Sequence, residues 1–283
     1  MSLNEYNVKA FLKGFHEIKV PQKIAGCEFD FDKETKQYFI STVVSAESGD
    51  ESNLKGIKKI KQVLGIFEVY LISHFEIVDT FSSQISGEKP FIHSTTLRLR
   101  RSRFEPYPQE LVDQIKNSIE ILDSLPNREK CTKRVNKAID YFRKGCHLQN
   151  DWRSDAFLNF YKSMELISHD FRKAFDEETK NQMKETNFND LTEKELKDLR
   201  TPKRLIQFTS RKLGIIHPLG AYDIPRTVEL RNKFGAHANL KDVPVSIDEF
   251  NDCKVLGANM IINYLKYLET EKKRPKITTN PSF

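Results

Sequence analysis

Arg231, Asn232 and His237 fall within seven residues, in the segment Arg231-Asn232-Lys233-Phe234-Gly235-Ala236-His237. A guanidinium, an amide and an imidazole at that spacing can hold a phosphate and move protons around it. On an unbroken helix, residues six apart at about 100° each lie roughly 120° apart, on different faces. Both ends can address one phosphate only if the helix stops between them. Gly235 suits that stop, because a glycine just past a helix adopts the left-handed conformation cheaply and turns the chain. Asn232 can orient the imidazole or bond the phosphate. The Arg-to-His spacing is common by composition, and Arg211–His217 repeats it. That second copy has Lys212 in place of the amide, Ile215-Ile216 before the histidine and Pro218 after it.

Other chemistry is sparser. The seven histidines and four cysteines show no zinc spacing, so no metal is expected. Phosphate-binding and nucleophile-elbow glycine motifs are absent from the sequence, and no cofactor is expected. His169-Asp170 reads as a structural pair on a helix. Arg98, Arg100, Arg101 and Arg103 are the densest positive charge in the chain. They read either as a solvated edge strand or as an RNA-backbone contact that adds affinity without sequence choice. Glu165 adjoins an apolar helical stripe, where an unpaired carboxylate is costly to bury. It fits a salt bridge inside a bundle or a partner of the catalytic group.

The 283 residues, with 20 Phe and 9 Tyr, can build a sizeable core, and the net charge of +6 is compatible with a polyanionic partner. Cys27, Cys131, Cys146 and Cys253 are widely spaced, as expected of free thiols in a reducing compartment. Residues 1–20 include Glu5, Lys9, Lys13, Glu17 and Lys19, leaving no apolar leader segment. The longest apolar runs are too short to span a bilayer. A soluble, cytoplasmic chain with no membrane contact is expected.

The elements that must position these residues divide into two languages, giving an α+β chain. Residues 1–105 predict a mixed domain of strands around one helix. Strands are expected over Val8–Ile18, Glu28–Val44 (with a turn at 32–36), Ile72–Ile85 and Phe91–Arg103. The helix covers Leu54–Leu71, with Leu54, Ile57, Ile60, Leu64 and Phe67 inward. Pro106-Tyr107-Pro108 marks a boundary. Residues 106–270 predict an all-α bundle with stripes at Leu111/Ile115/Ile119/Leu122, at Val135/Ala138/Ile139/Phe142/Cys146 and at Phe157/Phe160/Tyr161/Met164/Ile167/Phe171. Asp151 or Ser154 is expected to cap the third of these helices. Residues 172–190 predict a mobile connection, and Thr192-Glu193-Lys194-Glu195 a capping box. Thr201-Pro202 opens another helix, and Asp223 and Pro225 open the one that ends at the Arg231 segment. Ser246-Ile247-Asp248-Glu249 is a capping box for a long last helix. Residues 271–283 predict a basic, disordered tail.

With these elements around it, Arg231-Asn232-x4-His237 resembles the motif of the HEPN family (higher eukaryotes and prokaryotes nucleotide-binding). The segment Phe160-Tyr161-Lys162-Ser163-Met164-Glu165 resembles that family's long second helix with its embedded acid. The resemblance spans roughly residues 107–270. It implies a HEPN-like helical bundle and a metal-independent endoribonuclease acting as a homodimer, with the motifs of two chains facing each other. Arg231 would bind the scissile phosphate, His237 would act as base on the 2′-OH or acid for the 5′-oxygen, and Asn232 and Glu165 would orient and tune them. The products would be a 2′,3′-cyclic phosphate and a 5′-hydroxyl. RNA is then the substrate, and an antitoxin or other defence partner the regulator. Two further readings stay open: a non-catalytic module of the same family that binds nucleotide, RNA or protein, and a helical interaction protein in which residues 223–237 are an ordinary helix end.

Overall fold

Alternation of apolar and polar residues builds an antiparallel sheet in the first part of the chain. The computed structural model describes residues 3–14, 22–32, 35–85, 107–125, 130–185, 202–215, 227 and 245–273. Among the described residues five strands form one sheet: β1 (Asn4–Gly14), β2 (Gln22–Ile24), β3 (Cys27–Asp32), β4 (Gln37–Ala46) and β5 (Phe75–Gln84), in the order β2-β3-β4-β1-β5. β1 is flanked by β4 and β5, antiparallel to both, with registers Val8↔Thr42 and Val8↔Ser82. Val8, Ala10, Phe29, Ile40 and Ala46 point into the core and are fully buried.

Helix α1 (Gly49–Leu71) connects β4 to β5 and lies over that inner face. Ser48 caps it by accepting from the Glu51 amide, and the Glu51 carboxylate accepts in turn from the Glu47 amide. Gly56 faces β1 so closely that a Cβ there would lie 2.5 Å from the Val8 side chain. The helix therefore approaches the strand through Ser52 and Gly56, and Leu54, expected inward, is 76% exposed. One turn later the spacing fits the expectation, with Ile60, Leu64 and Phe67 buried. α1 ends where Ile72 adopts a left-handed conformation (φ 49°). That conformation is unfavourable for a β-branched residue. It is held by the Ile72 and Ser73 amides donating to the Val69 and Glu68 carbonyls, and by the buried Glu68 carboxylate accepting from the Phe75 amide at 2.8 Å. The strand expected from Ile72 thus begins at Phe75.

Helices follow: α2 (Gln109–Ser124), α3 (Lys130–Leu148), α4 (Arg153–Ser168), a short 3-10 turn (His169–Phe171), α5 (Arg172–Glu185), α6 (Pro202–Lys212) and α7 (Ile247–Lys273). The chain is α+β. It divides into two compact units, Met1–Glu120 and Ile121–Phe283. The division falls within α2, downstream of the boundary expected at 105/106. In the first unit Tyr107 packs edge-on against Phe67, and the Tyr70 hydroxyl donates to the Gln114 carbonyl and pairs with Ser118.

In the second unit α4 packs against α3, α6 and α7. Every residue of the two stripes expected in α3 and α4 is buried. Gly145 of α3 lets the Phe160 ring in, since a Cβ would sit 2.6 Å from it. Phe160 then packs on Phe142 and Phe250. α4 starts at Trp152 with no side-chain cap, so neither Asp151 nor Ser154 plays that part. Residues 172–185, expected as a connection, are helical because Phe175 and Thr179 supply a buried stripe under the charged face, with Phe175 edge-on to Phe208. Ser246 and Glu249 form the reciprocal capping box at α7. That helix continues to Lys273, into the segment expected as a tail. Among the described residues, no helix is long and apolar enough to cross a membrane.

Candidate functional site

Of the residues singled out for chemistry, Glu165 lies within the described structure. Arg231, Asn232 and His237 lie outside the described residues, as do Arg98, Arg100, Arg101 and Arg103. Thr227, four residues before Arg231, is helical and buried. Glu165 sits on the last turn of α4 between Met164 and Ile167, both fully buried, and is itself half-buried. Ser163 donates to the Phe160 carbonyl at 2.6 Å, and its hydroxyl lies 3.3 Å from where a Cβ on Gly257 would fall, so α7 passes close by.

Just past Glu165 the 3-10 turn brings in Asp170. Its two carboxylate oxygens accept from Arg134 of α3 and from the Tyr264 hydroxyl of α7. One carboxylate thereby ties three helices together, which is the structural role read for Asp170 in the sequence. Burial pushes the Tyr264 phenol well above its ordinary value, with the nearby Cys131 adding to the effect and Arg134 opposing it. The phenol stays a donor, as the geometry needs.

At the α3–α4 hairpin, Lys254 of α7 donates to the Gln149 side chain at 2.7 Å. Burial lowers the Lys254 ammonium from the usual lysine range, partly offset by Cys146. Cys253 is fully buried, and burial, reinforced by Asp252, drives its thiol strongly upward. Such a thiol is held protonated and is a poor nucleophile. Among the described residues no group of three or more His, Cys, Asp or Glu side chains has the arrangement to hold a metal ion.

A third cluster carries no signal in the apolar periodicity of the sequence. The Tyr141 ring of α3 has the Lys137 ammonium 5.9 Å from its centroid and the Lys162 ammonium of α4 at 5.6 Å. Each such contact is worth about 0.5–1 kcal/mol at an exposed site. The Lys137–Tyr141 half is an i,i+4 pair legible in the sequence. The Lys162 half depends on how α3 and α4 pack, which spacing alone does not fix. Comparison of the chain with models of known families, with curated proteins and with solved structures finds no match.

Proposed function

We propose that this chain is a metal-independent endoribonuclease of HEPN type, active as a cytoplasmic homodimer. The observation that supports it most is the Arg231-Asn232-x4-His237 segment on the same chain as a helical unit whose α4 carries a half-buried Glu165 between fully buried core positions. On this reading the ribose 2′-oxygen attacks the adjacent phosphorus as the 5′-oxygen departs. His237 of one protomer takes the 2′-proton, and the same residue of its partner protonates the leaving oxygen. Arg231 stabilises the charge that builds on the phosphoryl oxygens. The products are a 2′,3′-cyclic phosphate and a 5′-hydroxyl, and DNA, lacking the attacking group, resists. An antitoxin-like or defence partner would restrain the activity.

The experiment is RNA cleavage by the full chain in EDTA. Wild type should cut, while His237→Ala and Arg231→Ala, still folded and dimeric, should lose about 10²-fold or more in rate. Cleavage that persists in both variants removes the site assignment. Strict dependence on added metal removes the mechanism. RNA binding without cleavage by the wild type points to a non-catalytic module of the same family. Glu165→Gln should shift the pH–rate profile in a variant that stays folded and dimeric; an unmoved profile would leave Glu165 a structural residue.

A further inference from the structure

The exposed face of α3 is strongly basic. Lys130, Lys133, Lys137 and Lys144 are all exposed. At about 100° per residue they fall, together with Tyr141, within an arc of about 80°. At 1.5 Å per residue the row from 130 to 144 is about 21 Å long. Asp140 is the single acid exposed within α3. A charged face is usually just solvated, but this one also carries an aromatic ring shared between two helices. Lys162, exposed on α4, comes from a different helix onto the ring that Lys137 already approaches. Two ammoniums from different helices thus flank one half-buried aromatic ring, which puts two cations and a π-face within reach of a single anionic ligand.

We infer that Lys137, Tyr141 and Lys162 form a binding site for single-stranded RNA, extended along α3 by Lys130, Lys133 and Lys144. An unpaired base stacks on the ring in place of an ammonium, and the two ammoniums swing to the phosphates on either side of that base. Stacking on an aromatic ring tolerates any base, and lysines read the backbone and not the sequence. The site therefore gives hold without sequence choice. Lys162 lies one turn before Glu165 on α4, so a strand anchored here is led onto the helix that carries Glu165. The choice of RNA rests on the ribonuclease reading; the surface itself rests on the geometry of α3 and α4.

The test uses the full-length protein and a fluorescein-labelled oligoribonucleotide carrying 2′-O-methyl groups, which cannot undergo 2′-OH attack. Fluorescence anisotropy is followed over a series of KCl concentrations. Combined Lys137→Gln and Lys162→Gln should weaken binding at least about tenfold and reduce the slope of log K against log salt by about 1.4, at about 0.7 per phosphate contact. Tyr141→Ala should weaken binding about tenfold, and Tyr141→Phe should restore it, because stacking needs the ring and not the hydroxyl. Unchanged affinity and slope in the double variant overturn the inference, as does a wild type that binds no RNA. If wild type cuts unmodified RNA and the lysine variants bind and cut equally well, the surface fails while the ribonuclease stands. If wild type binds through these residues but leaves unmodified RNA intact, the ribonuclease fails while the surface stands.

Discussion

Asp170 shows what one carboxylate can decide. It takes a guanidinium from α3 and a phenol from α7 while sitting on the turn after α4. Tyr264→Phe keeps the ring in place, against Phe171 and Tyr267, and removes the hydroxyl. It should cost about 1–3 kcal/mol, the penalty for leaving part of a largely buried acceptor unpaired, read as a lower urea midpoint at unchanged m-value. A neutral result would mean that water replaces the phenol there. Gly145→Ala tests a different term. Its methyl would meet the Phe160 ring, and overpacking of that kind costs about 1–3 kcal/mol.

At the scale of elements, α3 and α4 were legible from sequence because each has a periodic stripe long enough to fix its inward face. α1 was legible as a helix but not in its first turns. There the inward residues are Ser52 and Gly56, which carry no hydrophobic signal and face inward because β1 comes so close. Counting apolar residues selected Leu54, which the close approach leaves outside. α5 was missed for a related reason: its high charge hid a stripe of Phe175 and Thr179. The candidate site divides in the same way. Arg231, Asn232 and His237 were visible as a motif because their spacing lies within one segment. The meeting of Lys162 with Tyr141 was not, because it belongs to the packing of two helices.

At the scale of the whole molecule, several groups hold their protons by burial. The Cys253 thiol and the Tyr70 and Tyr264 phenols are all raised above their ordinary values of 9.0 and 10.0. Above those values the unfolded chain has shed protons that the folded chain retains, so the unfolded state binds fewer and stability falls as pH rises. Their contribution is fully present at neutral pH. Urea midpoints should therefore hold steady to about pH 8.5 and then decline through 9 and 10. Cys253→Ala should reduce the first part of the decline and Tyr264→Phe the second; an undiminished slope in both variants would place the cause elsewhere.

The position of β1 has a consequence in time. It is the earliest strand in the chain, yet it pairs with β4 as far as Ala46 and with β5 as far as Gln84. The ladder that organises the first unit cannot close until β5 has been made. Pairing over such sequence distances is slow, in the millisecond-to-second range. During synthesis β1 can join β2, β3 and β4 as soon as Ala46 has emerged, but its other edge stays open until β5 follows α1.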